Sequence, residues 1–432
     1  MSERPTPDHQ HAADAKISRR ALISSAAVGA GGLLMRKIAG PAAAQASGPT
    51  PQQPGATPPM VPDDPTLVPG GGTTAVSARS PFESPARTPL GVITGPAYSP
   101  LQDLTGTITP NDLLFERHHA GVAMIDPKRW KLLVHGLVDR PMMFTLDDLK
   151  RFPSVSRVHF LECSGNGRAA YREPRPDMTP QIVDGLTSNG EWTGVPLSVL
   201  LGEVGVRDGA SWFLAEGGDA AKLSRSIPME KAREDALVVY AFNGEPLRPA
   251  NGYPVRLFLP GYEANTCVKW LRRIKLIDQP NMSRDETSKY TDPLPDGTAR
   301  QFSFVMDVKS VITQPAYPAR LTRGWNRISG LAWSGRGRIS RVDLSTDGGR
   351  SWSVADLQEP VLSRAHTRFA MMWEWKGAPS VLMSRAVDET DAVQPTRAEF
   401  QKVRGRGTDF HFNHIRAWKV AADGGVTFEG GV

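Results

Sequence analysis

At 432 residues the chain has room for about two ordinary domains plus tails, and 40% hydrophobic with 22% charged residues is an ordinary globular composition. The net charge of +6 is spread out, with no dense basic helix or basic–aromatic alternation, so small oxyanions or an acidic protein fit better than nucleic acid. The 2 cysteines, Cys163 and Cys267, are too few for a disulfide scaffold, a four-cysteine zinc site or a cysteine-only iron–sulfur cluster, and no Cys-x-x-Cys-His run attaches a c-type haem.

Near the N-terminus, Ser18-Arg19-Arg20-Ala21-Leu22-Ile23 sets two arginines ahead of an apolar, Ala/Gly-rich run reaching Leu34, and Ala44-Gln45-Ala46 supplies a small-x-small cleavage site. Together these describe a secretory leader over residues 1–46, and the twin arginines point to folded export into the periplasm by the Tat route. Arg36 and Lys37 break the apolar run well short of the ~20 residues of a span, so no membrane span is expected in the mature form. Folded export suits a protein whose cofactor is inserted beforehand. Residues 47–100, rich in Pro, Gly, Thr and Ser, read as an extended arm.

Residues 101–297 alternate short strand candidates with few long helices, an α+β pattern. Trp130–Gly136 reads as a strand entering a turn, and Thr145–Phe152 as a short helix with a Thr N-cap, stopped by Pro153. Arg157–Glu162 reads as a strand delivering Cys163 into the loop Cys163-Ser164-Gly165-Asn166-Gly167-Arg168. There Gly165 and Gly167 let a large group approach the backbone, and Arg168 adds a permanent cation with a planar fork of donors. That combination suits an anionic or metal-bearing ligand; taken alone, it also suits a buried structural cysteine ahead of a glycine turn, or one half of a Cys163–Cys267 disulfide. Further on, Val195–Leu201 reads as a helix with Pro in its first turn, and Leu237–Phe242 and Pro254–Leu259 as strands. Asn243-Gly244 is read as a plain turn, because the next strand candidate lies well downstream.

Five runs in this region occur in a telling order: Asn111-Asp112-Leu113-Leu114-Phe115-Glu116-Arg117-His118-His119, the cysteine loop, Asn243-Gly244-Glu245-Pro246-Leu247, Gly252-Tyr253-Pro254-Val255-Arg256-Leu257 and Val268-Lys269-Trp270-Leu271. In order and spacing they resemble the sulfite oxidase family of molybdenum enzymes, from roughly residue 100 to the C-terminus. The resemblance implies that Cys163 ligates molybdenum as a thiolate, beside the dithiolene of a single molybdopterin; a soft thiolate suits such a centre. It also implies that Phe115, Glu116, Arg117, His118, His119, Asp219, Asn251, Arg256, Cys267, Val268 and Lys269 surround the pterin and its phosphate. Arg256 and Lys269 are chemically apt phosphate partners, one forked and one a point charge, although each alone also fits a surface cation. Asn251 departs from the histidine of many members and cannot carry its charge.

For the substrate pocket the resemblance implies Arg117, Arg168 and Tyr290, with a third arginine for which Arg404, Arg406 and Arg416 are candidates without a motif match. Two arginines facing one small pocket are costly unless an anion is expected there.

Residues 298–425 are patterned as β structure. Val342 and Leu344 alternate with polar residues ahead of the Asp347-Gly348-Gly349 turn, and Phe369, Met371, Trp373 and Trp375 occupy every second position. Short strands with Gly/Asp turns suggest an immunoglobulin-like sandwich without a disulfide, its tryptophans in the core. Ile328–Gly335 resembles the dimerisation domain of the family.

The expected fold is therefore an α+β molybdopterin-binding domain followed by an all-β dimerisation sandwich. The leader and the lack of attached haem make the likeness strongest to the catalytic subunits of periplasmic sulfane dehydrogenases. It implies an oxo-transfer oxidation of sulfane sulfur held on a sulfur-carrier protein, with electrons passing to a c-type cytochrome subunit. It also implies a homodimer, or a heterotetramer when the cytochrome is bound. Oxidation of free sulfite is the alternative within the class, and a metal-free secreted Ig-like binding protein the alternative outside it.

Overall fold

In the computed structural model residues 71–294 and 296–431 are described, so the leader and the first part of the arm lie outside the described residues. The end of the arm carries structure: Thr88–Pro89 pairs antiparallel with Pro96–Tyr98, which pairs in turn with Glu116–Arg117. A segment that composition reads as a tail thus lies beside the strand bearing Arg117. From Ala78 onward the chain is one compact unit.

Two five-stranded sheets build the first domain. In one, Thr187–Pro196 lies between Leu237–Phe242 and Val155–Glu162. In the other, Leu271–Ile277 runs parallel to Leu132–Gly136 and antiparallel to Trp212–Gly217. The core between them is apolar and aromatic, with the rings of Phe242 and Phe258 each 4.4 Å from that of the fully buried Trp192. The expected helix forms at Leu146–Arg151, where Thr145 and Asp148 close a reciprocal capping box.

Two local readings change. The helix expected from Val195 starts at Leu197, because Val195 and Pro196 still pair with Val238 and Leu237 as strand. Asn243-Gly244 is a tight hairpin rather than a plain turn. Both residues take positive φ (47° and 79°), which matches the twist of a two-residue hairpin, and Phe242 pairs with Glu245. The returning strand, Glu245–Pro246, is 2 residues long, too short to leave a periodic signal.

The second domain packs a four-stranded sheet (Lys309–Gln314, Gly324–Trp333, Thr367–Trp375, Asp356–Gln358) on a five-stranded one centred on Ser380–Asp388. Ile328, Ala332, Phe369, Leu382 and Trp418 fill the space between, as the alternation anticipates. Trp325, on the strand Gly324–Trp333, is the exception to the core assignment of tryptophans: it is exposed. The domains also share a core, in which Phe160 packs with Met306, Val311, Leu331 and Trp333.

Candidate active site

Val155–Glu162 pairs along its length with Thr187–Pro196 and ends at Cys163, whose N–H donates to Leu186 O at 2.9 Å. Asn166 ties the loop shut: its Oδ1 accepts from Leu186 N–H and its Nδ2 donates to Glu162 Oε1, both at 2.9 Å. Gly167 sits at φ +92°, and a Cβ there would collide with Arg416 and press on Asp184. The underside of the loop is ionic. Lys309 Nζ reaches Glu162 Oε1 at 3.1 Å and Asp184 Oδ1 at 2.6 Å, Trp333 Nε1 donates to Glu162 Oε2 at 2.6 Å, and Arg416 Nε donates to Asp184 Oδ2 at 3.1 Å. All five side chains are buried, and the two carboxylates are matched by two cations, as burial of charge requires. Lys309, Trp333 and Arg416 come from the second domain.

Cys163 and Cys267 are free thiols, so the disulfide reading fails. Cys163 opens into a cavity whose wall includes Phe115, Arg117, His118, His119, Asp219, Asn251, Arg256, Cys267, Lys269 and Tyr290. The Lys269 ammonium donates to Arg117 O (3.1 Å) and Ala250 O (3.0 Å) and lies 2.7 Å from His118 Nδ1. Burial, then the nearby Arg256 guanidinium, push its pKa well below the usual lysine value. Arg256 donates to Asn251 O and Cys267 O, and burial brings even its pKa down to about 10. Glu116 and Val268 stand outside this wall. Glu116 holds His118 from behind (Oε2 to Nε2, 3.1 Å); burial favours its neutral form, but His118 and Arg87 outweigh that and bring its pKa to about 2. Val268 belongs to the apolar core.

A second cavity of about 410 Å³ forms the mouth, where Arg117, Arg168, Arg172, Tyr290 and Phe410 surround Cys163. Tyr290 Oη is 2.8 Å from His119 Nε2. Burial raises the Tyr290 pKa, and burial with the Arg117 charge lowers that of His119 to about 4, so at neutral pH the pair is a protonated phenol beside a neutral imidazole. Beneath the phenol lies Arg225, fully buried, with its guanidinium carbon 4.9 Å from the ring centroid. Arg225 pairs with Glu263 at 3.2 Å and donates to Asn265, which itself donates to Ser164 Oγ at 3.1 Å.

A profile of the oxidoreductase molybdopterin binding domain matches residues 119–284, and one of the Mo-co oxidoreductase dimerisation domain matches residues 300–417. Mouse (Mus musculus) mitochondrial sulfite oxidase is 31% identical over 362 residues, covering 77% of this chain and 66% of that protein. The chain is also 32% identical to the NADH nitrate reductase of Solanum lycopersicum over 336 residues, 68% of this chain and 36% of that protein. A chain of the crystal structure of the sulfane dehydrogenase SoxCD from Paracoccus pantotrophus superposes with a TM-score of 0.81 at 42% identity, covering 85% of this chain and 97% of that one. The chain belongs to the sulfite oxidase family. It spans just under two thirds of the length of the mouse protein and about a third of the nitrate reductase.

Family membership implies a molybdenum cofactor, and the donor set of this sulfite oxidase family member fits one. Arg256, buried, and Lys269, partly buried, are cations that pair with no carboxylate among the described residues, and Arg256 Nε and Asp219 Oδ1 are buried without partners. An anionic, phosphate-bearing group with polar edges satisfies all four. Among the described residues no three His, Cys, Asp or Glu side chains converge on a point that could hold a bare metal ion, so a metal here depends on Cys163 together with ligands from the cofactor.

None of the three C-terminal arginines reaches either cavity. Arg404 pairs with Asp292 and Asp307, Arg416 with Asp184, and Arg406 is exposed. Arg172 supplies the third guanidinium of the mouth instead, one helical turn after Arg168. Arg225 and Asn265 were also not anticipated. Arg225 lies in Ser224–Pro228 between two serines, a pattern that reads as a solvent-facing edge.

Proposed function

We propose that this chain is a periplasmic molybdenum oxidoreductase, exported folded, that oxidises sulfane sulfur presented on a carrier protein and passes the electrons to a c-type cytochrome subunit. The observation that carries this reading is the convergence of Arg117, Arg168, Arg172 and Tyr290 on the Cys163 thiol, in a mouth that adjoins the cofactor cavity and shares Arg117, Cys163 and Tyr290 with it. The likeness to SoxCD along 97% of the matched chain supports the substrate class. The metal-free binding-protein alternative gives way to the family assignment. A homodimer through residues 298–425 is part of the proposal, in keeping with the dimerisation-domain match.

Phe115, His118, Asp219, Arg256 and Lys269 would hold the pterin and its phosphate, and Cys163 would bind the metal as thiolate. When bound, the cofactor supplies two-electron oxidation with oxygen-atom transfer to sulfur. The guanidinium groups of Arg117 and Arg168 draw in a small anionic sulfur terminus, and Tyr290, still protonated, offers a donor to it. Arg225 under the phenol and His119 beside it fix where that hydroxyl points.

The test is to mature the protein in a molybdenum-replete host, measure metal per chain, and assay a carrier-bound persulfide against free sulfite with a c-type cytochrome as acceptor. About one molybdenum per chain and faster turnover of the persulfide are expected. Metal at trace level refutes the enzyme reading, and preference for free sulfite refutes the substrate.

A further inference from the structure

The segment Asp409–His411 of the second domain crosses the mouth. His411 N–H donates to Ser164 O at 2.7 Å, in the cysteine loop itself. The Phe410 ring centroid lies 5.4 Å from the Arg168 guanidinium carbon and 5.4 Å from the Tyr290 ring centroid. Arg168 Nε and Nη2 donate to the backbone oxygen of Asp409 at 3.1 and 2.7 Å. The Asp409 carboxylate lies 2.5 Å from Arg172 Nη2 and 3.5 Å from Arg168 Nε. The same two arginines that line the substrate mouth are therefore already engaged by an anion of the protein.

These three side chains are each a little under half exposed, so water and salt screen their attraction and its contribution to folding is small. The effect falls instead on what else the arginines can bind. Arg117 is different: it donates to the carbonyl oxygens of Thr94 and His118 and has no carboxylate partner among the described residues. With Asp409 in place, the mouth offers a substrate one guanidinium free of any anion and two that are shared.

We infer that Asp409 is a specificity-determining residue, an internal counter-anion that tunes the mouth to a sulfur terminus bearing one negative charge and weakens the hold on small dianions. The inference deepens the proposed function, resting on the mouth as substrate site. A persulfide on a carrier is such a singly charged terminus, whereas free sulfite near neutral pH is divided between its monoanion and its dianion.

The backbone oxygen of Asp409 holds Arg168 whatever the side chain is, so Asp409→Asn removes the charge while leaving the clamp. Binding of sulfate, a dianion, and of methanesulfonate, a monoanion of similar size, is measured by calorimetry on the wild-type holoenzyme, Asp409→Asn and Asp409→Glu. Removing a unit charge several ångströms from the bound anion should tighten sulfate about tenfold and methanesulfonate about threefold, because the interaction scales with ligand charge. Asp409→Glu should stay near wild type, and KM for sulfite should fall in Asp409→Asn with kcat little changed. Unchanged or weaker sulfate binding in Asp409→Asn overturns the inference, as does equal tightening of both anions. Anion binding needs no turnover. Absence of sulfur oxidation with tightened sulfate would fault the proposed function alone; turnover with unchanged sulfate affinity would fault Asp409 alone.

Discussion

Lys309 of the second domain donates to Glu162, the residue before Cys163, at 3.1 Å, and both side chains are sealed from solvent. The position of the cysteine loop is thus set across the boundary between domains. Lys309→Met leaves Glu162 and Asp184 with only Arg416 for charge compensation, and should destabilise the protein by about 3–5 kcal/mol. Chemical denaturation measures that loss. Lys309→Arg, which keeps the charge, should recover part of the stability and of the bound molybdenum; no recovery would mean that packing, rather than charge, matters at this position.

Cys163→Ser removes the thiolate and little else, since the loop is held by Asn166 and by backbone bonds. Turnover should disappear while circular dichroism and the melting temperature of cofactor-free protein stay close to wild type. An active Cys163→Ser enzyme would remove Cys163 from the metal.

Tyr290→Phe deletes one donor from the mouth and the 2.8 Å contact to His119, while the ring remains over Arg225. Loss of a preorganised donor costs on the order of 10²-fold in turnover. The expected result is a fall of that size in kcat/KM with unchanged molybdenum content; a fall caused by lost metal would place Tyr290 in a structural role.

Lys269→Met takes a strained cation out of the cofactor cavity. Its lost bonds to Arg117 O and Ala250 O are offset by relief of desolvation, so cofactor-free stability should move by less than about 1 kcal/mol. Cofactor retention should fall sharply, and the rise in melting temperature on loading should shrink. Equal destabilisation of both forms would show that Lys269 serves the fold and not the ligand.

His366 gives the domain boundary an acid sensitivity. Its ring lies 6.2 Å from that of Phe160 and 4.9 Å from that of Trp333, and burial, with Arg368 adding, holds its pKa at about 3, far below the ~6.5 of an exposed histidine. Between those values the unfolded chain binds a proton and the folded one does not. The stability is therefore full above about pH 6.5 and is lost as the pH falls toward 3. His366→Gln should lose about 2 kcal/mol less than wild type between pH 7 and pH 5, read from denaturation midpoints. Parallel pH profiles would exclude His366 as the source.

What was legible in the sequence was whatever lies in short runs. The strand into Cys163, the N-cap at Thr145 and the alternation through Phe369–Trp375 depend on neighbours and periodicity, and all three form. Eleven of the expected cofactor or substrate residues meet around one cavity, yet that grouping comes from the order of motifs and not from periodicity. Pairings across distance left no trace. Glu162 and Lys309 are 147 positions apart, and Arg168 and Asp409 are 241 apart. Arg416 is one of several arginines near the end of the chain, and nothing local distinguishes a cation destined for Asp184 from one facing substrate. Arg225 was missed for the same reason: its partners, Glu263 and Tyr290, arrive from later strands and loops.

The residues that grip the cysteine loop from below and above, Lys309, His411 and Arg416, are among the later ones to leave the ribosome. The loop that presents Cys163 is consequently complete only when synthesis is nearly finished, and a nascent chain halted earlier has the thiol but not its setting. Loading is then a post-translational event that tests the integrity of the whole chain. A chain ending before Thr396 should capture no molybdenum even with every residue of its first domain intact, which would make cofactor uptake a checkpoint against truncated products.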